Sequence, residues 1–442
     1  MSAAHASGTS TPEPSLPTSS MTLWIAAVAA FCTYFCMYAF RKPFTAATYD
    51  GQEVYGFALK GMLVLSQICG YMLSKFIGVK VISEMPRSRR AITMVCLMLF
   101  AEATLVGFAI LPRPAGVLML FLNGLPLGMI FGLVLAYLEG RRHTEALTAG
   151  LCASFIVSSG VVKSIGRWLI ESHGVSEYSM PALVGLVFLG PMFFFVWLLQ
   201  RTPEPSDHDR QLRSERAVMT RAQRTDFLKA YWPGLSILLG VYIALTVIRT
   251  MRDDFGVEIW TALGVQEQPA VFAQSETVVA LVATALNAFA ICITRNLAAL
   301  SAATGLMCGG FALVAGAAWA QWAGMVTAFP FMVACGIGLY IPYVAFHTTI
   351  FERLISASKR IGNLGFLMYL ADSLGYLGYT GVLVFRATAP STADIFPVFR
   401  SLILVVSAAC VLGLLVSLAY FHRVLMAEQG KAPLPLTPEV VG

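Results

Sequence analysis

The chain has 442 residues, of which 57% are hydrophobic and 12% are charged, with a net charge of +6. A soluble domain carries about 25% charged residues, so this composition excludes a globular enzyme and points to an integral membrane protein. The nine cysteines all fall inside apolar stretches, as small core residues do, and they do not form a disulfide framework or a metal cluster.

Residues 1–20 are rich in Ser, Thr and Pro and lack Lys and Arg. They predict a disordered N-terminus and not a cleaved leader, which needs a basic start. Apolar runs of membrane-crossing length follow. They predict helices near 22–46, 57–79, 91–111, 115–138, 146–170, 179–199, 231–252, 270–294, 297–320, 325–349, 361–386 and 396–421. The charged stretch 200–230 divides these spans six and six. The expected organisation is an N-terminal bundle (21–199), a cytoplasmic linker (200–230), a C-terminal bundle (231–422) and a flexible tail (423–442). The predicted fold class is therefore all-α: twelve transmembrane helices in two pseudo-symmetric six-helix bundles.

Lys and Arg set the orientation. The loops on the side of the termini, with the C-terminal tail, hold 19 of them, and the opposite loops hold three: Arg113, Arg386 and Arg400. Both termini are expected to be cytoplasmic, in a cell inner membrane. Trp24, Trp168, Trp197, Trp232 and Trp322 fall near span ends, as an aromatic belt requires.

Eight bases remain within or beside spans 1, 2, 5 and 7: Arg41, Lys42, Lys60, Lys75, Lys163, Arg167, Arg249 and Arg252. Spans 6 and 9 carry no charge, span 12 carries only Arg400 at its outer end and span 3 only Glu102, so these four are expected to face lipid. The two halves also match in detail. Arg41 lies seven residues after Tyr34, and Arg249 lies seven after Tyr242. Span 4 has Gly124, Gly128 and Gly132 at every fourth position, a pattern for close helix contact. Its counterpart, span 10, has Gly336, Gly338 and Pro342, which predict a bend. Repeats with a site at their interface are a transporter design.

An arginine at mid-membrane costs roughly 2.5–3.5 kcal/mol on insertion scales. A guanidinium offers a fork of donors matched to phosphate or carboxylate, and two of them facing each other can hold a dianion. On a helix, Tyr34, Tyr38 and Arg41 share a face, as do Tyr242, Thr246 and Arg249. Two readings stand for Arg41 and Lys42: a substrate site, or a basic anchor at the outer end of span 1. Arg252 has Asp253 and Asp254 beside it as partners. Lys163 and Arg167, one turn apart, are expected either to line the cavity or to pair with Glu276 as an outer gate. Asp372 is expected to pair with a buried base or to carry a proton. Glu102 has no obvious partner, Lys60 is read as interfacial before a source of positive potential at the cavity mouth, and His347 as a hydrogen-bonded packing residue before a proton relay.

The twelve-span plan resembles the major facilitator superfamily, and Tyr34…Arg41-Lys42 with Tyr242…Arg249 resembles helices one and seven of its organophosphate:phosphate antiporters. That resemblance implies that Arg41 and Arg249, with Lys42 beside the first, bind a substrate phosphate in a central cavity. It also implies inorganic phosphate as counter-substrate. Where that family carries a histidine in helix five, this span has Lys163. The expected function is secondary transport of a small anionic metabolite by a monomer without cofactor. Proton symport through Asp372 or Glu102, or ligand sensing without transport, are the alternatives. The sequence contains no Walker loop, HExxH motif or nucleophile elbow, so no enzyme is expected. No nucleic-acid partner is expected either.

Overall fold

The computed structural model describes residues 20–83, 85–138, 144–203, 221–266, 268–358, 364–387 and 395–429. The N-terminal half comprises α1 (Ser20–Tyr38), α2 (Leu59–Ser83), α3 (Arg87–Ile110), α4 (Arg113–Leu138), α5 (Thr144–His173) and α6 (Met180–Gln200). The C-terminal half comprises α7 (Arg221–Asp254), α8 (Ala270–Ile291), α9 (Asn296–Trp322), α10 (Ala328–Ala345), α11 (Leu364–Ala387) and α12 (Ile395–Gln429). A short helix, Gly256–Ala262, follows α7. A π turn at Phe346–Ile350 and a last helical segment, Phe351–Ala357, extend α10. Among the described residues ten helices are long and apolar enough to cross a membrane, and Trp24–Tyr38 adds a shorter apolar one. The chain is a multi-pass membrane protein.

Three boundaries differ from the sequence expectation. The first span was expected to run to residue 46, but α1 ends at Tyr38 and the chain turns through Arg41 and Lys42 into a 3-10 turn, Pro43–Ala46. Proline at the first position of that turn fixes φ and lacks an amide donor, so it starts a new turn and does not continue the helix. Residues 221–230, expected in the linker, form the first turns of α7. This stretch contains neither Gly nor Pro before Pro233 and carries Phe227 inward. Likewise α12 continues to Gln429, past the expected end at 421. Residues 1–19, 204–220 and 430–442 of the expected N-terminus, linker and tail lie outside the described residues, as does most of the basic loop 139–145.

Between α1 and α2 lies a small antiparallel hairpin, β1 (Glu53–Val54) and β2 (Phe57–Ala58). Tyr55 and Gly56 both have positive φ, as a two-residue hairpin turn requires. We call this side the loop face, and the side where the described chain starts and ends the terminal face.

Helix packing follows residue size. Gly70 on α2 lies against the backbone of Phe121 and Gly124 on α4, and Gly124 lies against the backbone at Gln67 and Tyr71. Gly310 on α9 and Gly338 on α10 make the same close approach in the other half. Of the four helices expected to face lipid, α6 and α12 stand outermost: 28% of the apolar window is buried in each, against 39% in α3, 44% in α9 and 72% in α7 and α10. The five tryptophans assigned to the belt are all exposed.

A methyl group at Gly124 would strike the α2 backbone, whereas nothing lies within 4 Å of the corresponding position at Gly305. Thermal unfolding of the purified protein should show Gly124→Ala losing about 1–3 kcal/mol. Gly305→Ala should be neutral or gain up to about 1 kcal/mol. Equal behaviour of the two variants would contradict the close α2–α4 packing.

Candidate functional site

Helices α1, α2, α4 and α5 of one half and α7, α10 and α11 of the other surround a small central cavity of about 20 Å3. That is room for about one water. Its wall includes Tyr34, Tyr38, Arg41, Lys42, Tyr71, Lys75, Arg249, Tyr343, Asp372 and Tyr376. Thus Arg41 and Arg249, from matching places in the two halves, reach one cavity.

Arg41 arrives there from the turn after α1, not from the helix face that the i, i+4, i+7 spacing predicted. Its position is set by its backbone: Gln67 Nε2 donates to the Arg41 carbonyl at 2.9 Å and to Asn123 Oδ1 at 2.8 Å. Asn123 in turn donates to the Ala101 carbonyl and to Thr104 Oγ1. The Arg41 guanidinium lies 3.9 Å from the centre of the Tyr71 ring and 5.6 Å from that of Tyr38. It reaches the Tyr376 hydroxyl, on the other half, at 3.5 Å. The Arg249 guanidinium lies 4.1 Å from the Tyr343 ring centre and 5.7 Å from that of Tyr340. It donates to Thr250 Oγ1 at 3.3 Å, and its buried Nε has no hydrogen-bond partner. Among the described residues neither arginine has a carboxylate partner.

The other buried bases all do. Lys42 pairs with both Asp253 and Asp254, at 2.5 Å from the latter. Lys163 pairs with Asp253 and donates to its carbonyl at 2.5 Å. Lys60 pairs with Glu258 at 2.5 Å, and Lys75 pairs with Asp372. All four of these join the two halves. Arg252 pairs with Glu276 at 2.8 Å within the C-terminal half. Ser159 donates to Asp253 at 2.6 Å and Tyr379 to Asp254 at 3.1 Å, so the acids at the end of α7 are well supplied with donors.

Several expectations are corrected here. Glu276 pairs with Arg252, and neither Lys163 nor Arg167 reaches it. Gly160 lets α5 and α8 pack so closely that Glu276 Cβ and Cγ lie over the glycine, and the carboxylate is taken up on its own side. Lys163 is among the loop-face ion pairs and not among the cavity-lining residues. Arg167 pairs with Glu171 one turn along α5, facing a separate loop-face cleft of about 730 Å3. Arg252 passes over its neighbours Asp253 and Asp254, because a one-residue step turns a helix by about 100°. Lys60, read as interfacial, is buried between the halves.

Glu102, on a helix expected to face lipid, is turned inward. It lies over Gly185 of α6 and beside the packing of Phe40, away from the cavity, with Oε2 unpartnered. Tyr242 does not line the cavity; its hydroxyl donates to Asp372 Oδ1. Asp372 is paired with a buried base, one of the two expected roles.

Sequence reasoning passed over Tyr71, Tyr343 and Tyr376, and gave Asp253 and Asp254 to Arg252 where their partners are Lys42 and Lys163. One signal was available. Tyr71 precedes Lys75 by four residues and Asp372 precedes Tyr376 by four. On facing helices these two pairs meet as an ion pair beneath a pair of rings 5.2 Å apart.

The fold is shared with solved transporters. The chain superposes on a D-xylose–proton symporter with a TM-score of 0.62 at 14% identity, covering 89% of this chain and 96% of that one. The POT family transporter PepTSo gives 0.58 at 14%, covering 93% and 99%. The nucleoside transporter NupG gives 0.57 at 11%, covering 90% and 99%. At these identities the likeness establishes the twelve-helix fold of the major facilitator type. No curated protein matches the chain by sequence. The match to a family model spans residues 43–424, nearly all of both bundles and every residue of the cavity wall from Lys75 to Tyr376, and the chain belongs to that family, the family of unknown function DUF5690.

Proposed function

We propose that this protein is a secondary transporter of a small anion bearing about two negative charges, moved by alternating access, with the anion held between Arg41 and Arg249. Charge balance carries the reading. Among the described residues seven Lys and Arg side chains are buried, and five of them meet five acids in ion pairs. The two left over are the two arginines that share the cavity. Each sits against tyrosine rings, which lowers the burial cost by about 0.5–2 kcal/mol but supplies no net charge. A phosphate ester, inorganic phosphate or dicarboxylate would supply it through charge-assisted forks.

The four ion pairs that join the halves lie on both sides of the arginines. Lys42, Lys60 and Lys163 with their acids form a latch toward the loop face. Lys75 with Asp372 closes the side toward the terminal face. Rocking of the halves would break one set while the other holds, and an anion that neutralises both arginines would lower the cost of bringing the halves together. The solved transporters of this fold support the coarse reading, since they move small molecules across membranes. The excess of Lys and Arg on the terminal side supports a cytoplasmic terminal face in an inner membrane. The resemblance to the organophosphate:phosphate antiporters favours phosphate as one of the two exchanged anions.

Two measurements test the parts of this reading. Binding of inorganic phosphate and of succinate to the purified full-length protein should weaken by at least ~30-fold in Arg41→Ala and in Arg249→Ala, the loss of a buried charge pair of about 2 kcal/mol or more. Anion binding that survives both changes would refute the site. Asp253→Asn removes the acid shared by Lys42 and Lys163, so amide hydrogen exchange over residues 156–164 of α5 should quicken by at least ~5-fold, roughly 1 kcal/mol. Unchanged exchange there would remove the loop-face latch.

A further inference from the structure

We propose that His347 is the proton-accepting residue of the conformational cycle: when α2 withdraws from α11, His347 takes a proton on Nε2 and the imidazolium replaces the Lys75 ammonium as counter-ion of Asp372. The proposal rests on the rocking of the two halves and not on the identity of the transported anion.

Three groups converge on Asp372. Lys75 comes from the N-terminal half, Tyr242 donates its hydroxyl from α7, and His347 Nε2 stands 3.8 Å from Oδ1. The state of the imidazole follows from its other nitrogen. Nδ1 lies 2.8 Å from the Tyr343 carbonyl oxygen. A carbonyl can only accept, so Nδ1 carries the hydrogen. A neutral ring has one such hydrogen, and Nε2 is therefore bare. Two acceptors, Nε2 and Oδ1, face each other beyond hydrogen-bond distance with no proton between them. While Lys75 is in place, Asp372 is already neutralised, and a second cation would face Lys75 and Arg249 as well.

Separation of the halves at the terminal face changes this balance. Lys75 leaves with α2, because it belongs to the other half. Asp372 then keeps only the Tyr242 hydroxyl, a poor substitute for a counter-ion. One proton from water at the terminal face, added to Nε2, gives an N–H aimed at Oδ1 and restores one positive charge. Imidazole becomes imidazolium, the Lys75 ammonium keeps its charge and becomes hydrated, and no other group gains or loses a proton. The charged and titratable groups around His347 are Asp372, Lys75 and Arg249, the rings of Tyr242 and Tyr343 at 6.0 and 4.4 Å, and the Cys152 thiol on α5 near Asp372. Asp372 is the one acid among them. The ring also belongs to the π turn Phe346–Ile350, an element that accommodates local backbone adjustment and marks functional positions in helices.

The test is hydrogen exchange of the purified full-length protein between about pH 8 and pH 5.5, corrected for intrinsic exchange, with no added anion. The readout is the terminal-face segments of α2 (72–83) and α11 (364–372). In the wild type their exchange should rise at least ~5-fold as pH falls through the histidine range. In His347→Gln this rise should be lost. In Lys75→Met, where no ammonium competes for Asp372, the midpoint should move to higher pH. A flat wild-type profile, or a wild-type midpoint retained in His347→Gln, overturns the proposal. If His347→Gln does not fold, a Lys75→Met midpoint equal to that of the wild type does so instead. Since no anion is present, failure here leaves the arginine site untouched, and loss of the arginine site leaves this result standing.

Discussion

A charge buried among apolar helices must find an opposite charge or stay in contact with water, and the arrangement of the two halves depends on that constraint. The pairing is mostly between halves: Lys42, Lys60, Lys75 and Lys163 all come from the N-terminal half, and their acids all come from the C-terminal half. Such contacts suit a surface that must open. When a cleft fills with water, separated ions regain hydration, which offsets much of the lost Coulomb attraction. An apolar interface of the same size would expose hydrocarbon and gain nothing in return.

Within each half the contacts are of the other kind. Glycines bring α2 onto α4 and α9 onto α10 backbone to backbone, where a single added methyl group collides. The chain Gln67–Asn123–Thr104 ties α2, α3 and α4 into one unit and also holds the Arg41 carbonyl. In the other half Asn287 of α8 donates to the Ile341 carbonyl, the residue before Pro342, and Arg252 donates to the Met332 carbonyl of α10. Close packing and hydrogen bonds tie each half together, with the Arg252–Glu276 pair inside the second, while four lysines make ion pairs across the seam beside the close α5–α8 contact at Gly160.

The membrane class, the number of spans and the outer position of α6 and α12 were legible because each depends on composition and length alone. The shared placement of Arg41 and Arg249 was legible because a repeat makes a costly residue recur at the same place. What the sequence did not disclose was azimuth and partner. Glu276 and Lys163 lie at similar depths, yet α8 directs the first back to Arg252 while α5 directs the second to Asp253. Depth is a count of residues, but azimuth depends on how a helix is seated among its neighbours. The face argument for Arg41 assumed a helix through residue 46; the helix stops at Tyr38, and a proline-led turn delivers the side chain to the cavity by another route. Asp253 and Asp254 were read as partners of the adjacent Arg252, whereas both are buried against Lys42, with Lys163 and Ser159 on the first and Tyr379 on the second.

The two arginines are not equivalent, and the difference bears on how an anion would act. Arg41 already reaches across the seam to Tyr376, and its backbone is fixed through Gln67. Among the described residues Arg249 meets only its own half in hydrogen bonds and ring contacts: Thr250, Tyr340 and Tyr343, with Nε unpartnered. An anion on Arg41 alone would add to a contact that exists. An anion that also engages Arg249 would make that guanidinium's first bond to the N-terminal half. Differential affinity between conformations is the only means by which a ligand shifts them. For the proposed anion that differential would reside at Arg249, whose unfilled hydrogen-bonding capacity would be satisfied from the opposite half only with the halves closed around it.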